Sequence, residues 1–269
     1  MLSPPRLSPL VLAALLAPVL LVLVSYGGRL MSSSAEDAAL KGYNITMTTL
    51  RPKYVEGCSR LTSLYASWKD VDGSGRDEPH SGVDGGRLGD PIYAPGPGVV
   101  RAVWVADWGW GAEGALLILH PADEINMDEG VDSYYSAFYH LDYQELKGIK
   151  LGQRIERGEL LAHVFRPGGN ARYLPEVHWE VYEVRRDEAT RWHVNSRQKA
   201  YWTNSTAKLI DPLYMLSREP GTLEGTSVTI MPYTQNRSYE DYRGFTYILP
   251  CDPEVERRRS LRPRARKAG

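Results

Sequence analysis

Three titratable side chains alternate with apolar ones in the segment EVHWEV, residues 176–181. Because successive side chains of a strand point to opposite faces, a strand here would place Glu176, His178 and Glu180 on one face. Two carboxylates and an imidazole on one face can bind a metal ion or transfer protons, and a solvated outer face would also accommodate them. Taken alone, the segment favours the solvated face, but the other histidines of the chain change this balance.

A second pair of candidate ligands is His80 and Asp84, which are four residues apart. On a straight strand they would lie about 13 Å apart, too far to share an ion with bonds near 2.1 Å. Glycines at positions 82, 85 and 86 allow the chain to bend, and a bend could bring both side chains to one ion. His140 ends the aromatic run at residues 134–141 and could present its ring at a strand terminus.

The elements that must position these residues are predicted to be strands. Short β-branched or aromatic runs, separated by glycine, proline or acidic turns, indicate strands at residues 99–105, 115–120, 134–141, 159–164 and 177–184. Further β-like pieces occur at 227–231 and 245–249, and the sequence is compatible with short helical stretches near 35–40 and 58–68. The sequence therefore predicts a mainly β fold with an antiparallel sheet core.

Composition excludes several classes of protein. The chain has 269 residues, 42% of them apolar, a formal net charge of -1 and two cysteines, which excludes collagen, low-complexity disorder, a multi-span membrane protein and a disulfide-dense miniprotein. Near-neutrality argues against a dedicated nucleic-acid binder. The basic tail, residues 256–269, is either a disordered arm attracted to anionic envelope polymers or lipid headgroups, or a solvated terminus without a partner.

The N-terminal region predicts export. Residues 10–24 are an unbroken apolar run preceded by Arg6, which is typical of a signal peptide or a single membrane anchor. The expected location is the cell envelope, either periplasmic, at the cell wall or anchored. In an oxidising compartment Cys58 and Cys251 could pair, although two unpaired buried thiols are the alternative.

The order of several short motifs resembles the lysostaphin-type (LytM-like) zinc metallopeptidases, metallopeptidase family twenty-three. The resemblance spans about residues 78–216, and agreement of several motifs in order is far more specific than any one of them. The matching segments are HSGVDG (80–85), DPIYAP (90–95), GVVRA (98–102), LILH (117–120), YHL (139–141), the glycine-spaced stretch at 150–161, PEVHWEV (175–181) and IDPL (210–213).

This resemblance implies a zinc site formed by His80, Asp84 and His178. Two imidazoles and one carboxylate suit Zn²⁺, and three protein ligands leave one position open for water. By the same resemblance His140 is the catalytic histidine on a neighbouring strand, where it would stabilise an oxyanion or transfer a proton. Glu180 is either a hydrogen-bond partner for the second ring nitrogen of His178 or an ordinary surface residue.

One position departs from the family pattern. The last motif of the family has two histidines, and the first, a proposed general base, is Glu176 here. Glutamate can act as the base, as it does in other zinc hydrolases. Alternatively, the domain binds zinc without effective catalysis, as degenerate members of the family do, or the alignment is displaced by one residue.

The sequence divides into five parts. They are a signal peptide or membrane anchor (1–28), an N-terminal extension (29–77), a peptidase-like domain (78–216) with an insertion at 187–208, a C-terminal extension (217–255) and the basic tail. The first functional hypothesis is an exported zinc endopeptidase that cleaves peptide cross-links of bacterial peptidoglycan, with Glu176 as base and His140 stabilising the transition state. The second is a non-catalytic, zinc-containing envelope module that binds peptidoglycan or regulates a cell-wall hydrolase.

Overall fold

The structure is a computed structural model, and it describes residues 50–107, 112–127, 130–166, 174–194 and 200–251. The predicted signal or anchor, the helix predicted near 35–40 and the basic tail lie outside these residues. No helix within the described ranges is long and apolar enough to cross a membrane.

Strands dominate the part of the chain that the structure describes, and its helices are short. The strands are β1 (Arg51–Lys53), β2 (Leu61–Ser63), β3 (Val83–Gly85), β4 (Pro91–Tyr93), β5 (Gly98–Asp107), β6 (Ala112–Pro121), β7 (Ser133–Leu141), β8 (Arg154–Ile155), β9 (Leu160–His163), β10 (Val177–Val184), β11 (Arg191–Val194), β12 (Ala200–Thr203), β13 (Ala207–Ile210), β14 (Leu223–Glu224) and β15 (Ser227–Thr229). The α-helices are α1 (Tyr143–Leu146) and α2 (Pro212–Leu216), and 3₁₀ turns cover Asp123–Ile125 and Asp187–Ala189.

A central antiparallel sheet carries the fold. Its strand order is β2-β3-β10-β7-β6-β5-β8, and β13 pairs with the second half of β10. Smaller sheets are formed by β4 with β9, by β11 with β12, and by β1, β15 and β14. The mainly β, antiparallel prediction is confirmed, and β5, β6, β7, β9 and β10 agree within a few residues with the strands that the sequence predicts.

Alternation along β10 gives the central sheet two different faces. Trp179 is fully buried on what we call the core face, where Phe138 of β7 stacks on it with ring centroids 6.3 Å apart and Phe245 packs nearby. His178 and Glu180 lie on the opposite face, which we call the cleft face. The alternation predicted for residues 176–181 is therefore present, but the polar face is largely buried instead of solvated.

The predicted insertion at 187–208 contains the β11–β12 hairpin, which packs over the cleft face. Trp202 of β12 contacts Tyr135 of β7 and Tyr182 of β10, with ring centroids 5.4 and 4.7 Å apart. Trp192 of β11 packs edge-on against Trp104 of β5 at 5.5 Å. The hairpin thus covers the apolar end of the cleft face with aromatic rings.

Two local predictions are wrong. Residues 58–68 form β2 and turns, not a helix, because their backbone groups bond to distant segments: Ser59 N–H to Pro250 O at 2.9 Å and Ala66 N–H to His80 O at 2.8 Å. Residues 245–249 are buried but form no strand. They fill the core as an irregular segment anchored by hydrogen bonds such as Tyr247 O–H to Ser59 O at 2.7 Å.

The two cysteines form a disulfide. Cys58 and Cys251 are bonded across a sequence separation of 193 residues, which joins the N-terminal extension to the C-terminal extension. Of the two alternatives that the sequence left open, the structure has the pair.

Candidate metal centre and active-site cleft

A cleft of about 530 Å³ lies against the cleft face of the central sheet. It is bordered by the segment before β3 and by the ends of β7 and β10. The five side chains predicted to form the site all line this cleft: His80, Asp84, His140, Glu176 and His178. Glu180 lines it as well.

Three donor atoms meet in this cleft. Nε2 of His80 lies 3.0 Å from Oδ1 of Asp84, which lies 2.7 Å from Nδ1 of His178, and the two nitrogens are 3.1 Å apart. Ligands of a tetrahedral ion with bonds of 2.0–2.1 Å are about 3.3 Å apart. One ion the size of Zn²⁺ would therefore fit between them after outward shifts of roughly a few tenths of an ångström.

Strand register and one bend bring these residues together. Asp84 pairs directly with His178 in the antiparallel ladder of β3 and β10. His80 precedes β3, and the chain bends at residues 81–82, as the glycines in this region suggested. A Cβ atom at Gly82 would lie only 2.3 Å from the carbonyl oxygen of Trp179, so the close approach of this bend to β10 requires glycine.

The ring nitrogens that point away from the ligand cluster are also bonded. Nδ1 of His80 lies 3.0 Å from the carbonyl oxygen of Leu64, so it carries the proton and leaves Nε2 free to bind a metal. Nε2 of His178 lies 3.2 Å from Oε1 of Glu180. The other carboxylate oxygen of Glu180, Oε2, accepts a hydrogen bond of 2.6 Å from Tyr182 O–H. The contact with Leu64 therefore sets the tautomer of His80 that metal binding needs, and Glu180 would hold the proton on Nε2 of His178 when a metal ion takes Nδ1.

The three candidate ligands strongly influence one another's protonation. Burial opposes the charged form of Asp84, but the hydrogen bonds and positive charge of His178 and His80 outweigh it and hold the pKa of Asp84 well below its usual value. Burial also opposes protonation of His178, yet hydrogen bonds to Asp84 and Glu180 raise its pKa to about 10. A metal ion and a proton therefore compete for His178.

Glu176 stands at the edge of the same cluster. Burial and then the charge of Asp84 raise its pKa to about 7, and the positive charge of His178 only partly offsets them. A carboxyl group whose pKa lies near neutral pH can both accept and donate a proton there.

His140 reaches the cleft because its backbone breaks the alternation of β7. On a regular strand Tyr139 and His140 would point to opposite faces, yet both line the cleft. His140 has a left-handed φ of 60°, and its ring centroid lies 6.1 Å from that of His178. Its Nδ1 atom contacts Oε2 of Glu113 at 2.6 Å, and Glu113 is completely buried.

Sequence reasoning missed Glu113. The only available signal was a single carboxylate at the start of the apolar strand β6, directly after a glycine-rich turn. That pattern is equally typical of a solvated strand end. The contact depends on pairing between β6 and β7, which spacing along the chain does not reveal.

An aromatic wall and a charged rim complete the cleft. Trp104, Tyr139 and Trp202 line one side. On the other side Arg76 contacts Oδ1 of Asp70 at 3.0 Å and the outer oxygen of Asp84, Oδ2, at 3.4 Å.

The histidines that were given no metal role lie away from the ligand cluster. His120 is fully buried, with Nδ1 donating to Pro97 O at 2.7 Å and Nε2 lying 3.1 Å from Ser136 Oγ. His163 contacts the exposed carboxylate of Glu145 at 3.2 Å. Within the part of the chain that the structure describes, His80, Asp84 and His178 form the one group of side chains close enough to hold a metal ion.

Residues 78–195 match the sequence model described as peptidase family M23. These residues form a peptidase family M23 domain. The match confirms the resemblance drawn from the motifs and assigns the domain to a family of peptidases. No curated protein matches the sequence.

Several solved structures are similar to parts of this chain. LytU is 25% identical with a TM-score of 0.34, covering 46% of this chain and 74% of LytU. A zinc-containing peptidase from Vibrio cholerae is 26% identical with a TM-score of 0.34, covering 50% of this chain and 36% of its own. The catalytic domain of the prophage-encoded protein EnpA from Enterococcus faecalis is 22% identical with a TM-score of 0.33, and the similarity covers 46% of this chain and 81% of that domain. The family assignment rests on the sequence match and not on these TM-scores.

Proposed function

We propose that the protein is an exported zinc endopeptidase that cleaves peptide cross-links of bacterial peptidoglycan. The observation that carries this proposal is the meeting of three metal-ligating atoms in a cleft that also presents Glu176 and His140. The M23 domain supports a peptidase, and the lysostaphin-like motifs support peptidoglycan peptides as the substrate.

His80, Asp84 and His178 are the residues that would hold the metal. Their two imidazoles and one carboxylate suit Zn²⁺, and the hydrogen bonds to Leu64 O and Glu180 prepare both rings as donors. A zinc ion bound there would polarise the scissile carbonyl and acidify a water molecule.

Glu176 supplies proton transfer in this proposal. Its carboxylate lines the cleft beside the ligand cluster, where it can accept a proton from the attacking water. The same carboxyl group then passes that proton to the amine that leaves when the peptide bond breaks. One carboxylate therefore serves both halves of the reaction.

His140 stabilises the oxyanion in this proposal. Nδ1 of His140 is bonded to Glu113 and the ring lines the cleft, so Nε2 is the nitrogen that would act on the substrate. From there it can donate a hydrogen bond to the negative oxygen that develops on the substrate.

The proposed location is the cell envelope. The apolar run at residues 10–24 supports export, and a disulfide between Cys58 and Cys251 suits an oxidising compartment. The basic tail at 256–269 would add attraction to anionic envelope polymers.

Glu176 also favours a second candidate function. If glutamate cannot replace the histidine that the family has at this position, the domain would bind zinc and peptidoglycan without hydrolysis. It would then act as an envelope module, for example as a regulator of a cell-wall hydrolase.

The experiment combines metal analysis with digestion of purified cell walls by the full-length chain. We expect one zinc per chain, loss of zinc in His80→Ala and His178→Ala, and retention of zinc in Glu176→Gln with cleavage lowered about 10²–10⁴-fold. The matched control is Glu224→Gln, since Glu224 lies outside the cleft and forms only an exposed ion pair. Zinc binding without cleavage by the wild type supports the envelope module, and no zinc under metal-replete conditions contradicts both functions.

A further inference from the structure

A completely buried carboxylate contacts the proposed oxyanion-stabilising histidine. Glu113 has no solvent exposure, and its Oε2 lies 2.6 Å from Nδ1 of His140. Its other oxygen, Oε1, has no hydrogen-bond partner among the described residues. His140 is therefore the principal polar partner of this carboxylate.

The energetic cost of burying Glu113 indicates a specific role. A buried carboxylate is destabilising unless a donor or a positive charge compensates it. A solvated strand end or an apolar side chain at position 113 would avoid this cost, and the neighbouring residues 115–118 of β6 are indeed apolar and completely buried. What the carboxylate provides is a fixed acceptor for one nitrogen of one imidazole.

The backbone of His140 shows that this ring is held in place. A positive φ is unfavourable for a residue with a side chain and persists only where the surrounding contacts hold it. His140 adopts φ 60° where β7 ends, beside an irregularity in its pairing with β6. This conformation turns the ring towards the cleft, and the contact with Glu113 fixes its rotation about the Cβ–Cγ bond.

We infer that Glu113 is the positioning residue of His140. By accepting a hydrogen bond from Nδ1–H, the Glu113 carboxylate selects the tautomer in which Nε2 faces the substrate, and it stabilises positive charge on the ring during the reaction. Glu113 touches no reacting atom and acts only through His140. The inference rests on the proposed function as far as the reaction is concerned, while the state of the His140 ring can be observed without any reaction.

The first test is spectroscopic and needs no substrate. In the full-length chain with ¹⁵N-labelled histidine, we expect His140 to show a protonated Nδ1 whose proton exchanges slowly with water. Glu113→Ala should remove this slowly exchanging proton, and Glu113→Gln, which keeps an acceptor oxygen, should retain part of the signal. If the His140 signals are the same in the wild type and Glu113→Ala, the inference is overturned, whatever the protein's activity.

The second test separates positioning from a merely structural role. We expect Glu113→Ala to lower kcat about 10–100-fold with little change in KM and with zinc still bound. In a His140→Ala background the same change should have no further effect on kcat, because Glu113 acts through that ring. A similar loss in both backgrounds overturns the inference.

A matched control exists elsewhere in the fold. Glu145 and His163 form a carboxylate–imidazole pair at 3.2 Å, but both are exposed and neither lines the cleft. We expect Glu145→Gln to leave kcat unchanged. Absence of wall cleavage by the wild type contradicts the proposed function, whereas the spectroscopic test would still decide the inference about Glu113.

Discussion

At the scale of single residues, the candidate metal centre depends on which nitrogen of each histidine is free. His80 presents Nε2 and His178 presents Nδ1, because a backbone carbonyl and the carboxylate of Glu180 hold the opposite nitrogens. Residue types alone suggested two imidazoles and a carboxylate. The hydrogen bonds that set their tautomers come from Leu64 and Glu180, of which the sequence suggested only Glu180.

We predict that Glu180→Gln weakens zinc binding about 10–100-fold, because the charge that makes His178 a strong donor is removed while the shape is kept. The measurement is zinc affinity by competition with a chelator. Glu183→Gln, three residues further along β10, is the control because Glu183 pairs with Lys208 outside the ligand cluster. Equal zinc affinity of Glu180→Gln and the wild type would refute this role.

His120 provides a pH-dependent prediction that is independent of the metal centre. Burial lowers the pKa of His120 to about 3; the hydrogen bond to Pro97 partly opposes this effect, and the charge of Arg157 adds a smaller lowering. Between pH 6.5 and 3 the unfolded chain therefore binds a proton at this site that the folded chain does not. The free energy of unfolding should fall on acidification, with His120 contributing about 1.4 kcal/mol per pH unit.

The measurement is denaturant unfolding between pH 6.5 and 4.5. His120→Gln should be less stable than the wild type at neutral pH, because it disturbs the bonds to Pro97 and Ser136. Its stability should nevertheless depend less steeply on pH. If the free energy of unfolding changes equally steeply with pH in the wild type and in His120→Gln, His120 is not the source of this pH dependence.

At the scale of elements, the site depends on how β3, β7 and β10 approach one another. The strands were predictable where apolar and polar residues alternate, as in β10, or where β-branched and aromatic residues cluster, as in β5 and β7. The structure of residues 58–68 was not predictable in this way, because their backbone hydrogen bonds go to His80 and to the C-terminal segment. Pairing between distant segments overrides local preference there.

Three features of the site had different degrees of predictability. The bend between His80 and Asp84 followed from its glycines, and the polar face of β10 followed from alternation. The position of His140 in the cleft depends on a left-handed backbone, and its contact with Glu113 depends on an irregular β6–β7 pairing. Neither the left-handed backbone nor the irregular pairing can be recognised from a pattern in the sequence.

We predict that Gly82→Ala destabilises the fold by about 1–3 kcal/mol and lowers zinc content, because its Cβ would lie 2.3 Å from the Trp179 carbonyl oxygen and push the bend away from β10. The measurements are denaturant unfolding and metal analysis. Gly75→Ala is the control, since nothing lies within 4 Å of a Cβ there. Unchanged stability and zinc content in Gly82→Ala would contradict the packing described for this bend.

At the scale of the whole molecule, the C-terminal extension is part of the domain that holds the site. Phe245 packs against Trp179 and His120, and Tyr247 bonds to Ser59. The Cys58–Cys251 disulfide closes this arrangement. The family match ends at residue 195, so Phe245, Tyr247 and Cys251 lie beyond the matched residues although they pack against them or against the segment that precedes them.

We predict that replacing both cysteines with serine lowers the free energy of unfolding by about 2–5 kcal/mol, because the cross-link restricts a long segment of the unfolded chain. Denaturant unfolding of the oxidised wild type, the reduced wild type and the Cys58→Ser/Cys251→Ser variant measures this effect. The reduced wild type and the variant should behave alike. Equal stability of the oxidised and reduced wild type would show that the disulfide does not support the fold.

The central claim, hydrolysis of peptide bonds in peptidoglycan at the His80–Asp84–His178 centre, is tested most directly by the chemistry of digested cell walls. Each cleaved peptide bond releases one primary amine, whereas cleavage of a glycosidic bond releases a reducing end. We predict that the zinc-loaded full-length chain releases amines without reducing ends and that His178→Ala releases neither. No amine release by the zinc-loaded wild type, or equal release by His178→Ala, would contradict the claim.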